Sequence, residues 1–180
     1  MDTYITIKDN NNIISITYED LLKYHGYEMV GGVALAFQMM RWAFPQICDG
    51  IPERGNFYFY SGMGKNAKGV IDAVEMVMRV RTYESLNLDI DYSLDKEGPL
   101  APGGGKYYFE VGYCDKKLCL AVKDGLIPDE FIEYSKLAHH CKSSGIQMKD
   151  SDRIKLMQLR AELAESILKS NIDDLFYKIN

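Results

Sequence analysis

The sequence predicts an α+β fold, with a mixed four-stranded sheet covered mainly on one face and followed by a helical tail. Three features carry that expectation. The run at 29–44 is hydrophobic on nearly every face, through Val33, Leu35, Phe37, Met39, Met40 and Trp42, which marks a buried central helix. The aromatic segment Asn56-Phe57-Tyr58-Phe59-Tyr60 reads as an interior strand and leads through a glycine turn into an amphipathic helix. Three further strand-like segments lie at 86–92, 106–112 and 118–123. The order is α-β-α-β-β-β. Its strand–helix–strand unit implies a right-handed parallel crossover, and the last three strands are close enough to meander antiparallel.

Residues 4–16 alternate through Tyr4-Ile5-Thr6-Ile7 and turn at Asp9-Asn10-Asn11-Asn12, giving a short hairpin or a loose arm. Thr17-x-x-Asp20 has capping-box spacing and opens a helix through His25. The chain bends at Gly26, and a second helix runs over 31–44 until Pro45. After the glycine turn at 62–66, a helix over 67–82 carries the stripe Val70, Val74, Val77 and Met78. Leu86, Leu88, Ile90 and Tyr92 alternate with Asn87, Asp89 and Asp91, the pattern of a strand with one wet face. Residues 95–105 are loop by composition, and 113–117 joins a hairpin. A helix over 128–142 has Phe131, Tyr134, Leu137, Ala138 and Cys141 on one side. Asp150 or Ser151 caps the last helix, whose stripe is Leu156, Leu159, Leu163 and Ile167.

A chain of 180 residues suits one domain over 1–180, with a core at 16–124 and a tail at 128–176. A chain of this size buries on the order of 70% of its unfolded surface. The net charge of −5 and the lack of a basic run argue against nucleic acid or an anionic membrane as partner. The apolar run at 29–44 is interrupted by Gln38 and Arg41, too short and polar to cross a bilayer. Met1-Asp2-Thr3-Tyr4 lacks the basic and apolar regions of a signal peptide. Cys48, Cys114, Cys119 and Cys141 form no CxxC and read as reduced thiols of a cytoplasmic protein. Cys114 and Cys119 flank the hairpin turn, where a pairing is geometrically open. The 13 tyrosines suit an aromatic ligand site or a homodimer interface.

Within Tyr24-His25-Gly26-Tyr27-Glu28-Met29-Val30-Gly31-Gly32, three glycines interrupt a helical pattern. Each costs roughly 0.8–1.0 kcal/mol against alanine in a helix interior, so either the backbone bends or something approaches it closely. His25 is either a histidine bonded at a helix kink or a ligand or metal contact. His25 with Asp72 is the acid–base pair that helix packing can assemble. Gly62-Met63-Gly64-Lys65-Asn66-Ala67-Lys68-Gly69, between strand and helix, is either a small-anion pocket or a tight turn, since its spacing is neither GxGxxG nor a Walker loop. His139-His140-Cys141 lie about 100° apart on a helix and read as helix-end residues. There is no Gly-x-Ser-x-Gly and no His-Glu-x-x-His, so the residues lean against an enzyme.

Three segments together resemble the FmdE-like family, whose namesake is an accessory component of formylmethanofuran dehydrogenase. Its opening pattern, His-Gly-His-x-x-Cys-Pro-Gly, is similar to His25-Gly26-Tyr27-Glu28-Met29-Val30-Gly31. Its Val-Asp-Ala-Ile-Gln helix followed by Gly-Cys-Thr is similar to Ile71-Asp72-Ala73-Val74-Glu75 leading to Arg79-Val80-Arg81, and its Gly-Lys-x-x-Phe strand to Gly105-Lys106-Tyr107-Tyr108-Phe109. The helix ending near Asp174-Leu175-Phe176 is also similar, and the resemblance spans about residues 16–176. It implies an α-β-α-β-β-β core and a small binding protein, like the accessory subunit of a molybdenum- or tungsten-dependent formylmethanofuran dehydrogenase. A divalent metal (zinc in the family) or a metal-containing cofactor would sit around His25, with Tyr27, Met29, Gly62, Gly64 and Asp72 as ligand-binding positions. A homodimer or a partner subunit goes with it. The departures are Tyr27 for the second histidine, Met29 for the first cysteine and Val80 for the second. Zinc takes about four N, S or O ligands, so of that set only His25 remains unless Glu28, Asp72, Glu75 or a partner chain contributes. Met29 is either a core methionine or a soft-metal ligand. The alternative is a stand-alone enzyme using His25 and Asp72 as acid and base on a small anionic substrate, and a third reading is a structural partner subunit.

Overall fold

A computed structural model of the chain describes residues 4–180; residues 1–3, read above for a leader peptide, lie outside them. The fold is α+β. β1 (Tyr4–Asp9) and β2 (Asn12–Thr17) form an antiparallel hairpin with Asn10 at φ 56 in its turn. Ile5, Ile7 and Ile16 bury one side of it, so the arm is docked. Thr17 caps α1 (Tyr18–His25) by the expected box: its hydroxyl accepts from the Asp20 N–H while Asp20 accepts from the Thr17 N–H. Gly26, at φ 92, ends the helix with its N–H on the Leu22 carbonyl at 2.7 Å.

Helix α2 (Val30–Ile47) packs against the five-stranded sheet, α1 and both later helical layers, as its all-round hydrophobicity requires. Pro45 lies inside its last turn instead of ending it. Proline there removes one hydrogen bond, but the Cys48 N–H still reaches the Phe44 carbonyl at 2.8 Å and closes the helix.

β3 (Phe57–Ser61) is followed by a 3-10 turn at Gly64–Asn66 and by α3 (Lys68–Met78). α3 stops four residues short of the expected end because Arg79 turns left-handed at φ 61 and the Glu75 carboxylate accepts from the Arg81 N–H and the Thr82 hydroxyl. The alternating segment at 86–92 yields only β4 (Leu86–Asn87), parallel to β3. Beyond it Asn87 and Asp91 accept from the N–H groups of Asp89 and Ser93. Such side-chain bonds compete with a ladder. β5 (Tyr108–Tyr113) and β6 (Lys116–Val122) form the expected hairpin, but β5 pairs with β3, so the last three strands do not meander. β7 (Phe176–Ile179), unexpected from the sequence, pairs with β6 and makes the sheet five-stranded, ordered β4-β3-β5-β6-β7.

α4 (Asp129–Ser143) and α5 (Asp150–Lys169) form a helical pair, with α5 packed along α2. Lys149, with no side-chain bond, precedes α5; neither Asp150 nor Ser151 is its cap. The stripe Leu156, Leu159, Leu163 and Ile167 is buried as expected, whereas α4 buries only Ser135 fully. All four cysteines are free. Among the described residues no helix is long and apolar enough to cross a membrane.

Candidate functional site

The glycines flagged in the sequence have two physical causes. Gly26 takes a positive φ with open space around it, and Gly31 and Gly32 permit close packing. A Cβ at Gly31 would lie 3.1 Å from Leu163 of α5, and one at Gly32 3.4 Å from the Gly69 Cα of α3. The amino ends of α2 and α3 therefore touch backbone to backbone. Neither receives a side-chain cap and neither carries an acid in its first turn. The first N–H groups of a helix have no acceptor within it. Gly31, Gly69 and Val70 are buried residues in those turns.

These two ends form the floor of a cleft of about 620 Å³, with α4 and α5 opposite and residues 101–103 at one side. Asn66 fixes that side by donating from Nδ2 to the Gly103 carbonyl at 2.9 Å. Leu35, Tyr107, Ile127, Phe131, Leu163 and Ile167 supply apolar walls. Tyr107 and Ser135 are 4% and 7% exposed, and both border the cleft. Neither hydroxyl has a hydrogen-bond partner among the described residues, yet no fully enclosed side-chain oxygen there is unpaired. Both hydroxyls therefore keep some accessible surface, and both residues line the cleft. Burial pushes the Tyr107 phenol well above its ordinary value, keeping it a donor.

The polar rim is cationic. Lys68, Lys142 and Arg160 line it against the single carboxylate of Glu28. None of the three cations forms a salt bridge among the described residues, and Arg160 spends one donor on the Glu28 carbonyl at 3.2 Å. Burial lowers the Arg160 pKa, and lowers that of His139 too, helped there by the neighbouring charges of Lys142 and Arg160.

His25 and Asp72 do meet. The Nδ1–H of His25 donates to Asp72 Oδ2 at 2.8 Å, and Arg81 Nη1 donates to Asp72 Oδ1 at 3.1 Å. The imidazole is 7% exposed, and neither residue borders the cleft. The pair fastens the end of α1 to α3, just behind the segment that brings Glu28 and Met29 to the rim. Met29 lines the cleft at the start of α2. Tyr27 is 62% exposed and donates its hydroxyl to Glu19 at 2.8 Å. Gly62 belongs to the sheet, donating to the Tyr108 carbonyl at 2.8 Å, and Gly64 packs under Ile90. Of the segment 62–69, Met63, Asn66, Ala67, Lys68 and Gly69 reach the cleft.

The donor set around His25 does not fit a metal. Asp72 is already neutralised by Arg81, Tyr27 points to Glu19, and among the described residues no three His, Cys, Asp or Glu side chains gather.

Sequence reasoning missed Arg160, Lys142, Tyr107 and Ser135, included Lys68 only within the segment 62–69, and assigned His139 only to a helix end. Arg160 left a signal. At about 100° per residue it lies about 40° round from Leu156 and about 20° from Ile167, so a cation stands amid an apolar stripe. Comparison with known protein families and with curated protein sequences finds no match for the chain.

Proposed function

We propose that the chain is a small-molecule binding protein, a divergent FmdE-like domain whose ligand lies in the cleft between the amino ends of α2 and α3 and the α4–α5 pair. The observation that carries this reading is about 620 Å³ of largely apolar space, bordered by two largely buried residues, Tyr107 and Ser135, whose hydroxyls bond no described residue. A pocket of this size with few convergent polar groups suits a small organic molecule. The family reading draws support from the order of the elements and from the hydrogen bond between His25 and Asp72, which stand in two of the three resembling motifs. The His25–Asp72–Arg81 set then acts as a fastener, since none of the three borders the cleft.

The test is mass spectrometry of protein purified without chelator, first intact under native conditions and then after denaturation to identify released compounds, beside Ala138→Trp. Ala138 borders the cleft from α4, and an indole there fills space without touching the core of α2. A bound organic compound in the wild type, absent from Ala138→Trp, is the expected result. Equal loading of both proteins would refute the cleft. Stoichiometric metal lost in His25→Ala would favour the metal centre that the family resemblance implies.

A further inference from the structure

We infer that the ligand of this cleft is an organic anion, a carboxylate or phosphate carried on an apolar body; this rests on the cleft being the binding site. The charge balance is the first argument. The chain as a whole is acidic, at −5, yet the cleft gathers Lys68, Lys142 and Arg160 against Glu28 alone. Glu28 is exposed on the rim, whereas Arg160 is partly buried and its pKa lowered by that burial. A guanidinium has five N–H donors, and only one bond, to the Glu28 carbonyl, is made here. The Glu28 charge acts on Arg160 without forming an ion pair among the described residues, so the guanidinium keeps donors with which an oxyanion can form charge-assisted, bidentate hydrogen bonds.

The second argument is directional. The uncapped first turns of α2 and α3 open on the same cleft and add N–H donors with the positive ends of two helix dipoles. The one acid lining the cleft is Glu28, which is exposed at its rim. The third argument comes from the other wall. Tyr107 and Ser135 offer hydroxyls among Leu35, Ile127 and Phe131, so the body of the ligand is apolar and carries a hydrogen-bonding group. The anionic group sits at the end where Arg160 and Lys142 lie close to His139.

Fluorescence titration with three probes of one shape tests this: 2-naphthoate, 2-naphthyl phosphate and 2-naphthol. Saturable binding of one or both anions, with 2-naphthol at least about ten-fold weaker, is the expected result. Preference between the two anions identifies the oxyanion. Arg160→Gln and, independently, Lys142→Gln should each erase most of the discrimination, and Arg160→Lys should restore part of it. If 2-naphthol binds as tightly as the anions and Arg160→Gln changes nothing, while Ala138→Trp still blocks binding, the anion inference is overturned and the cleft stands. If neither anion binds saturably, the inference is likewise overturned. Anion binding that survives Ala138→Trp would overturn both it and the cleft.

Discussion

Replacing Gly69 by alanine separates packing from helix propensity at the floor of the cleft. An ideal Cβ at Gly69 stands 2.7 Å from the Met29 carbonyl oxygen and 3.2 Å from the Val33 nitrogen. Both are backbone atoms of the first turn of α2, so no side chain can swing aside. Relief requires the helix ends to part by about 0.7 Å to regain ordinary contact. Overpacking of this kind costs about 1–3 kcal/mol, against a propensity gain of at most about 1 kcal/mol. Gly32 faces the same crossing from the other helix, but its Cβ would meet nothing nearer than 3.4 Å. Gly32→Ala should therefore be neutral or slightly stabilising and Gly69→Ala net destabilising, with a difference of about 2 kcal/mol between them. For a chain of this size that is roughly 4–8 °C in Tm. Urea unfolding followed by the fluorescence of the single tryptophan, Trp42, and by circular dichroism measures it, provided the slopes agree. Gly69→Ala matching or exceeding the stability of Gly32→Ala would refute the account of the helix crossing.

Tyr107→Phe should leave folding unchanged within about 1 kcal/mol, because no protein bond is lost, while weakening a hydrogen-bonding ligand; denaturant melts and ligand titrations separate the two. His25→Ala removes a largely buried bond between α1 and α3 and leaves Asp72 with Arg81 alone, so a loss of about 1–3 kcal/mol is expected in urea melts. The His139 pKa lies below its ordinary value in the free protein, so the unfolded chain binds that proton more readily and stability rises as pH climbs towards about 6.5. An anion beside His139, Lys142 and Arg160 favours the protonated ring, so 2-naphthoate affinity should increase as pH falls through the same range; a flat profile contradicts this. At Glu110, burial raises the carboxyl, but the bonds from Lys117, Tyr108 and Lys96 outweigh it and hold the pKa below the usual value. That contribution is present above the unfolded carboxylate value of about 4.3 and is lost as pH falls through the lower folded one. Glu110→Gln should accordingly flatten the acid limb of a stability–pH curve.

The parts of the fold that were legible in the sequence are those where one local signal dominates. The Thr17–Asp20 box, the all-apolar α2, the stripe of α5 and the β5–β6 hairpin each follow from spacing alone. Where the expectation failed, a contact distant in sequence or a side-chain bond to backbone had won. The strand after Asn87 is displaced by Asx bonds, and β7 depends on contacts distant in sequence, its pairing with β6 and the packing of Phe176 against Trp42. The site was half legible. The glycines at 26, 31 and 32 announced a bend and a close approach, and His25 and Asp72 pair as expected. The helices whose rims carry Lys68, Lys142 and Arg160 converge only in three dimensions, so no spacing in the chain could join them.

The most direct test of the central claim is a side-by-side titration of wild type, Ala138→Trp and His25→Ala with 2-naphthoate, after circular dichroism has confirmed that each variant is folded. Loss of binding in Ala138→Trp, with His25→Ala within about three-fold of wild type, is predicted because the cleft and not the histidine holds the ligand. Binding abolished in His25→Ala and retained in Ala138→Trp would contradict the account.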